Sequence, residues 1–415
     1  MNISIEKRFI PSFISTSTVT AVIAPYLSIM VRGLGYSPLW VGILLGVYEG
    51  AAIAGPMLAG YWADKTGNYR PALVVSCVIP ALIVLPLIRW VHPAVSAALL
   101  ALLAFGVRST ISLLDAVTTI QIGRTGNYGR IRVWGSISFI CVTLCLQWNP
   151  FLKPHSAGNI GVWLMITAVI SAVPILLLPG AFLRSSPKHD TGEAVEAKTI
   201  PILSVYVLGG FSMIFLSRIS MTAIYTYFPL YMIETVHWDA VGVMFAVATA
   251  SEVPLMFLSV ALIRRFGSLP LLAVSAVGIC VRMLILAFLP FKPCIVISMM
   301  LHSLCFGVYH PAAVDFIAGI FPAQKRGTGM AVYLIVGSGL PALISNVLGG
   351  AVVEAAGYRS LFALYAAVAG AAALIYRGMR RYNKRWLYIF FIISRNHFFI
   401  SSIISFISLI SLFLI

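Results

Sequence analysis

Runs of about twenty apolar residues recur along the whole chain, separated by short turns rich in Gly, Pro and charge, and this recurrence restricts the fold more than any other feature. A run of that length crosses the hydrocarbon core of a bilayer as a helix, because a helix satisfies every backbone polar group internally where lipid offers no partner. The runs fall at 9–31, 39–59, 71–88, 94–119, 135–148, 159–182, 200–233, 240–262, 269–289, 295–321, 328–348 and 360–376. The expected fold is therefore all-α and integral to the membrane, with twelve transmembrane helices. A water-soluble domain is excluded, since 60% hydrophobic and only 10% charged residues would leave too much apolar surface facing solvent.

A net charge of +16 raises the question of nucleic acid, but the basic residues lie in short loops between apolar runs and form no basic aromatic surface. No nucleic-acid partner is expected. With the N-terminus placed inside, the inner loops hold Lys7, Arg8, Lys65, Arg70, Arg124, Arg130, Arg132, Arg184, Lys188, Lys198, Arg264, Arg265, Lys325, Arg326 and the basic stretch from Arg377 to Arg385. The outer loops hold Arg32, Arg89, Lys153, Lys292 and Arg359. Positive loops stay cytoplasmic during insertion, so the imbalance predicts a multi-pass protein of the inner (plasma) membrane with a cytoplasmic N-terminus. Lys7 and Arg8 before an apolar stretch resemble a signal peptide, yet the stretch lacks a small-residue cleavage site and reads as a retained first span. The cysteines at 77, 141, 145, 280, 294 and 305 show neither paired zinc spacing nor a disulfide framework and read as small buried hydrophobes; no metal is expected.

The segment Arg184 to Lys198 is the one stretch with the composition of a solvated linker, and it divides six spans from six. The halves then repeat. Val41-Gly42, Val47, Gly67 and Val74 recur 200 residues later as Val241-Gly242, Val247, Gly267 and Val274. Phe105-Gly106-Val107 and Asp115 are echoed by Phe306-Gly307-Val308 and Asp315, and Gly135-Ser136 by Gly337-Ser338. Agreement in loops, charges and order predicts a duplicated six-span unit: a bundle over 1–183, a cytoplasmic central loop over 184–199 and a second, parallel six-helix bundle over 200–377. Residues 378–415 form a basic end followed by an Ile/Ser/Phe/Leu tail, which is either a thirteenth span or a non-native extension and is given no function.

The loop Gly60-Tyr61-Trp62-Ala63-Asp64-Lys65-Thr66-Gly67-Asn68-Tyr69-Arg70 resembles the G-x-x-x-D-[RK]-x-G-x-[RK]-[RK] loop of the major facilitator superfamily, with a degenerate copy at Arg264-Arg265-Phe266-Gly267. An Asp at an inner helix end with cations nearby can latch neighbouring helices in one state and release them in another, which makes Gly60, Asp64, Lys65, Gly67 and Arg70 a candidate conformational gate. Tyr128-Gly129-Arg130-Ile131-Arg132-Val133-Trp134-Gly135 resembles a segment shared by the lactose permease and phenylpropionate permease groups of that superfamily, and Asp115 matches an acidic residue of the same groups. The resemblance implies that Asp115 and Arg132 bind the solute. An intramembrane carboxylate is costly unless paired or wet, and Arg offers a planar fork for carboxylates or vicinal hydroxyls, so the residues point the same way. Arg108, seven residues before Asp115, lies on the same helical stripe and is expected to neutralise it.

In the second half Glu252 and Arg282 are the natural ion pair, followed by His302, His310 and Asp315; Leu301-His302 and His310-Pro311-Ala312-Ala313-Val314 resemble the phenylpropionate permease group. Glu252, Arg282 and His302 fall where the lactose permease has its proton-coupling network, although the acidic residue three positions after that His is Cys305 here. Glu252 near Arg282 is the first candidate proton carrier and Asp315 the second, while either His also suits a hydrogen-bonded packing role. Arg218 and Glu234 are expected near the ends of their long span, and Tyr225, Tyr227 and Tyr231 in an interfacial aromatic belt. Glu49 suits either a vestibule or a packing bond. The leading expectation is proton-coupled uptake of a sugar or aryl-carboxylate by a monomer, driven by the proton gradient with no other cofactor. A drug antiporter is less favoured because Ile137 to Trp148 contains neither Gly nor Pro, and a membrane enzyme because the acids are dispersed over several spans.

Overall fold

A computed structural model describes residues 5–122, 128–153, 155–184, 204–321 and 326–380; most of the expected central loop and the apolar tail lie outside the described residues. Its helices are α1 (Ile5–Gly33), α2 (Pro38–Thr66), α3 (Tyr69–Arg89), α4 (Pro93–Ile122), α5 (Tyr128–Trp148), α6 (Ala157–Leu176), α7 (Val205–Thr226), α8 (Phe228–Glu234), α9 (Val241–Phe266), α10 (Ser268–Phe288), α11 (Lys292–Met300), α12 (Tyr309–Ile320), α13 (Arg326–Leu334) and α14 (Leu340–Arg380). Ten helices among the described residues are long and apolar enough to cross a membrane, or eleven when the bent α9 counts as one.

Their boundaries follow local chemistry. Asn68, Ser156 and Ser204 cap α3, α6 and α7 with side-chain oxygens that accept otherwise orphaned N–H groups. Gly67 ends α2 with φ 63°, a left-handed conformation that a Cβ would strain. Pro229, at the start of α8, cannot donate the bond that would continue α7, so this span breaks at Tyr227. Pro254 accompanies a 53° bend in α9. π-turns at Ser303–Val308 and Ile335–Gly339 join α11 to α12 and α13 to α14, and they hold the Phe306-Gly307-Val308 and Gly337-Ser338 repeats. The last helix is interrupted at Gly357, whose φ of 77° and ψ of 175° no α-helix contains.

Residues 5–184 pack mainly among themselves, α1 on α5 and α6, α3 on α4 and α6, and α2 on α4; later, α14 packs on α7 and α10. The two groups meet where α2 lies against α14 and α5 against α9. Here the sequence repeat has its structural reason. A Cβ on Gly42 would collide with the Asn346 carbonyl and the Tyr227 hydroxyl, and one on Gly242 with the Thr143 carbonyl and the Tyr26 hydroxyl. Matching glycines thus let helices of opposite halves touch backbone to backbone.

Polar bonds between halves gather at the same end. Arg32 pairs with Glu234 at 2.8 Å, Ser37 and the Leu39 N–H donate to Glu354, and Asp239 accepts from Lys153 at 2.8 Å and sits 2.7 Å from His155. Gln147 donates to Asp239 and accepts from the Gly242 N–H. Glu234 therefore sits at a span end, as expected. Tyr227 and Tyr231 are buried within the second half instead of standing in an interfacial belt, because Tyr227 donates to the Asn346 carbonyl and Tyr231 to that of Leu286. Cys77 and Cys305 are buried, whereas Cys141 and Cys145 are exposed on α5.

Candidate functional site

A cavity of about 340 Å³ lies between the halves, walled by α1, α4 and α5 on one side and by α7, α9 and the π-turn after α11 on the other. Asp115 and Arg132 both line it. The Arg132 guanidinium, not that of Arg108, donates to Asp115 at 2.9 Å, and the arrangement has a third member: Tyr128 donates to the other Asp115 oxygen at 2.5 Å while accepting from Arg132 at 2.7 Å. Tyr128 stood in the motif, but only its position one turn before Arg132 on α5 shows that it bridges the pair. The motif is helical from its first residue, so span 5 begins seven residues earlier than the apolar run at 135–148.

Arg108 does not neutralise Asp115. Seven residues of helix rise are about 10 Å, which keeps the two groups apart although they share a stripe. Arg108 instead pairs across to Glu49 on α2 at 3.3 Å, and Glu49, read as either a vestibule or a packing residue, both makes this bond between helices and lines a cavity.

On the facing wall, Glu252 and His302 line the same cavity. The expected direct pair of Glu252 with Arg282 is absent, because His302 stands between them: its Nε2 is 3.6 Å from the Glu252 carboxylate and its Nδ1 is 3.0 Å from the Arg282 guanidinium. A guanidinium can only donate, so Nδ1 accepts and the ring proton sits on Nε2, facing Glu252. Arg282 also donates toward the Met299 sulfur and is fully buried. The chain approaches this closely because Gly307 on the π-turn leaves room for Glu252, which a Cβ there would meet at 3.3 Å. His302, Phe306 and His310 form a stack with ring centroids 5.6 Å apart, and His310 Nδ1 is 2.7 Å from the Tyr333 hydroxyl.

Asp315 is exposed, accepts from Ser268 at the start of α10, and lies outside the cavity lining. Its sequence resemblance to Asp115 does not place it with the cavity-lining charges, and among the described residues no ion pair meets it as Arg132 meets Asp115. Arg218 is not an end residue either: it lines a second cavity of about 300 Å³, with Arg108, Glu49 and His310. Of the candidate gate, Asp64 accepts from Tyr69 at 2.5 Å, Gly67 caps α2, Asn68 bridges to Arg184, and Lys65 stands 5.9 Å from the Tyr61 ring. The Arg70 N–H donates to Asn68, and Gly60 has open space beside it. These bonds tie α2 to α3 within the first half.

The chain is 25% identical over 324 residues to the maltose permease of Geobacillus stearothermophilus, covering 76% of this chain and 71% of that protein. It is 23% identical over 343 residues to a probable 3-phenylpropionic acid transporter of Escherichia coli, covering 79% and 86%. Among solved structures, the nucleoside transporter NupG superposes with a TM-score of 0.72 at 16% identity over 91% of this chain and 99% of that one. The xylose transporter XylE from E. coli, in its inward open conformation, gives 0.66 at 15% identity over 90% and 95%. Such distant structural likeness establishes the fold alone. The MFS_1-like family model matches residues 13–364, and the chain belongs to that family of the major facilitator superfamily as a multi-pass membrane transporter.

Proposed function

We propose that this transporter imports a small organic solute, a sugar or an aryl-carboxylate, together with protons by alternating access across the inner membrane. The observation that carries this reading is that Asp115 and Arg132 of one half and Glu252 and His302 of the other line one cavity, with Tyr128 bridging the first pair and Arg282 behind His302. Its volume of about 340 Å³ suits a small molecule. The names of two relatives, a maltose permease and a probable 3-phenylpropionic acid transporter, supply the two solute classes.

On this reading the chain crosses twelve times as two parallel six-helix bundles, with the continuous run from α13 through α14 counting as two crossings joined at Gly357. That run contains a 51-residue apolar stretch, Gly329–Met379, about 77 Å of helix and more than twice the hydrocarbon thickness, which supports that division. With a cytoplasmic N-terminus, the Asp239 and Glu234 contacts close the outer end and the cavity belongs to an inward-facing state. Arg132 and Tyr128 hold polar groups of the solute, and Glu252 takes up the proton with His302 relaying its charge state to Arg282. Asp64 and its neighbours act as the inner gate when the halves rock the other way.

The test is external pH in lightly buffered, de-energised cells expressing the protein, on adding disaccharides, nucleosides and phenylpropionate-type acids in turn. Transient alkalinisation with one class, abolished by a protonophore, is the expected result. Arg132→Ala and Glu252→Gln should each remove it; proton-driven uptake retained in both would sink the site assignment.

A further inference from the structure

The second cavity adjoins the first and shares Thr20, Ala24, Tyr225 and Phe306 with it. Its charged lining is Glu49, Arg108 and Arg218. Glu49 is committed to Arg108 at 3.3 Å. Among the described residues no carboxylate pairs with Arg218: its Nε is buried without a hydrogen-bond partner, and its guanidinium carbon stands 5.9 Å from the centre of the Tyr225 ring. Across both cavities, including Arg282 behind His302, the arginines are 108, 132, 218 and 282, and the carboxylates are Glu49, Asp115 and Glu252. One cation is left over, and an uncompensated charge at this depth is costly unless an anion arrives from solution.

We propose that Arg218 anchors the carboxylate of the transported solute, so that the solute is an organic monoanion with an apolar body. This rests on the reading of the central cavity as the solute site. The planar guanidinium takes a carboxylate through two parallel hydrogen bonds, and while Glu252 is ionised one added carboxylate balances the arginines. The body extends past Tyr225 and Phe306 into the first cavity, where Phe13, Phe139 and Phe245 offer apolar ring faces. A neutral sugar has no group that compensates Arg218.

The experiment is calorimetric binding to the purified full-length protein of aryl and alkyl monocarboxylates, among them 3-phenylpropionate, and of 3-phenylpropionamide and maltose. The wild type should bind an acid at least about 30-fold more tightly than its amide, because the neutral isostere leaves the cation unpaired. Arg218→Gln should lose that preference, and Arg218→Lys should keep part of it, with thermal unfolding checking that both are folded. Equal affinity for acid and amide in the wild type, acid binding unchanged in Arg218→Gln, or no acid bound at all would overturn the proposal. Binding is read without a proton gradient, so selective acid binding without proton-coupled uptake refutes the coupling and leaves the anchor standing. Proton-coupled maltose uptake untouched by Arg218→Gln does the reverse.

Discussion

Asp239 joins the halves at the closed end through three side chains, and its replacement by asparagine gives a measurable change in the conformational equilibrium. The Lys153 ammonium lies 2.8 Å from one oxygen and the His155 ring 2.7 Å from the other, while Gln147 donates at 3.1 Å. Lys153 and Asp239 are 45% and 39% exposed, so that pair contributes about 0.2–1 kcal/mol. His155 is only 11% exposed and loses a charge-assisted bond, whereas the bond from Gln147 survives because asparagine still offers an oxygen. The loss is about 1–2 kcal/mol in all, which lowers the closed-to-open ratio about 5- to 30-fold. Spin labels at Val91 and Phe291, exposed at that end in opposite halves, would read it as a longer-distance population by double electron–electron resonance in a cysteine-free background. The pH dependence has a definite sign. Burial raises the Asp239 carboxyl, but the hydrogen bonds from Lys153, His155 and Gln147 outweigh it and hold the group below the usual carboxylate value. A carboxyl depressed in the closed state stabilises closure above its open-state value of about 3.9 and loses that contribution as pH falls through the depressed value. Acidification below about pH 4 should therefore shift the parent protein toward the open state, and shift Asp239→Asn less, the remainder coming from Glu354, whose carboxyl the Ser37 and Leu39 hydrogen bonds also hold low. Distance distributions for the variant that superimpose on the parent's at neutral pH would refute the latch.

Gly42→Ala and Gly242→Ala each push a methyl into a facing carbonyl and a tyrosine hydroxyl, an overpacking cost of about 1–3 kcal/mol on closure; an impermeant maleimide added outside should label Ile23→Cys faster in either background. Glu49→Gln leaves Arg108 half-buried and unpaired, and should lower stability by about 1–3 kcal/mol, seen as a lower thermal midpoint that Glu49→Gln/Arg108→Gln partly restores. Tyr128→Phe removes the bonds to Asp115 and Arg132, so solute KM should rise about tenfold with the maximal rate kept, measured by radiolabelled uptake.

The sequence by itself determined the membrane, the α-helix and the family, because each is a property of local pattern. A twenty-residue apolar run has one way to satisfy its backbone in lipid, and the Asp64 loop and the Arg132 segment are contiguous strings. That Asp115 and Arg132 belong to one site was suggested by motifs that travel together, but the sequence assigned the partner of Asp115 to Arg108 and not to Arg132. Pairings across helices were not legible. Arg108 shares a stripe with Asp115 and still turns to Glu49, since helical phase fixes direction around one helix and not depth against the next. His302 between Glu252 and Arg282, and Arg218 without a carboxylate among the described residues, likewise depend on how α7, α9, α10 and the π-turn at Ser303–Val308 stack. The repeat at Gly42 and Gly242 was visible as text, but only the tertiary structure showed that both glycines meet the opposite half. Charge partners inside a bundle are chosen by the depth and rotation of packed helices, quantities that no single helix encodes.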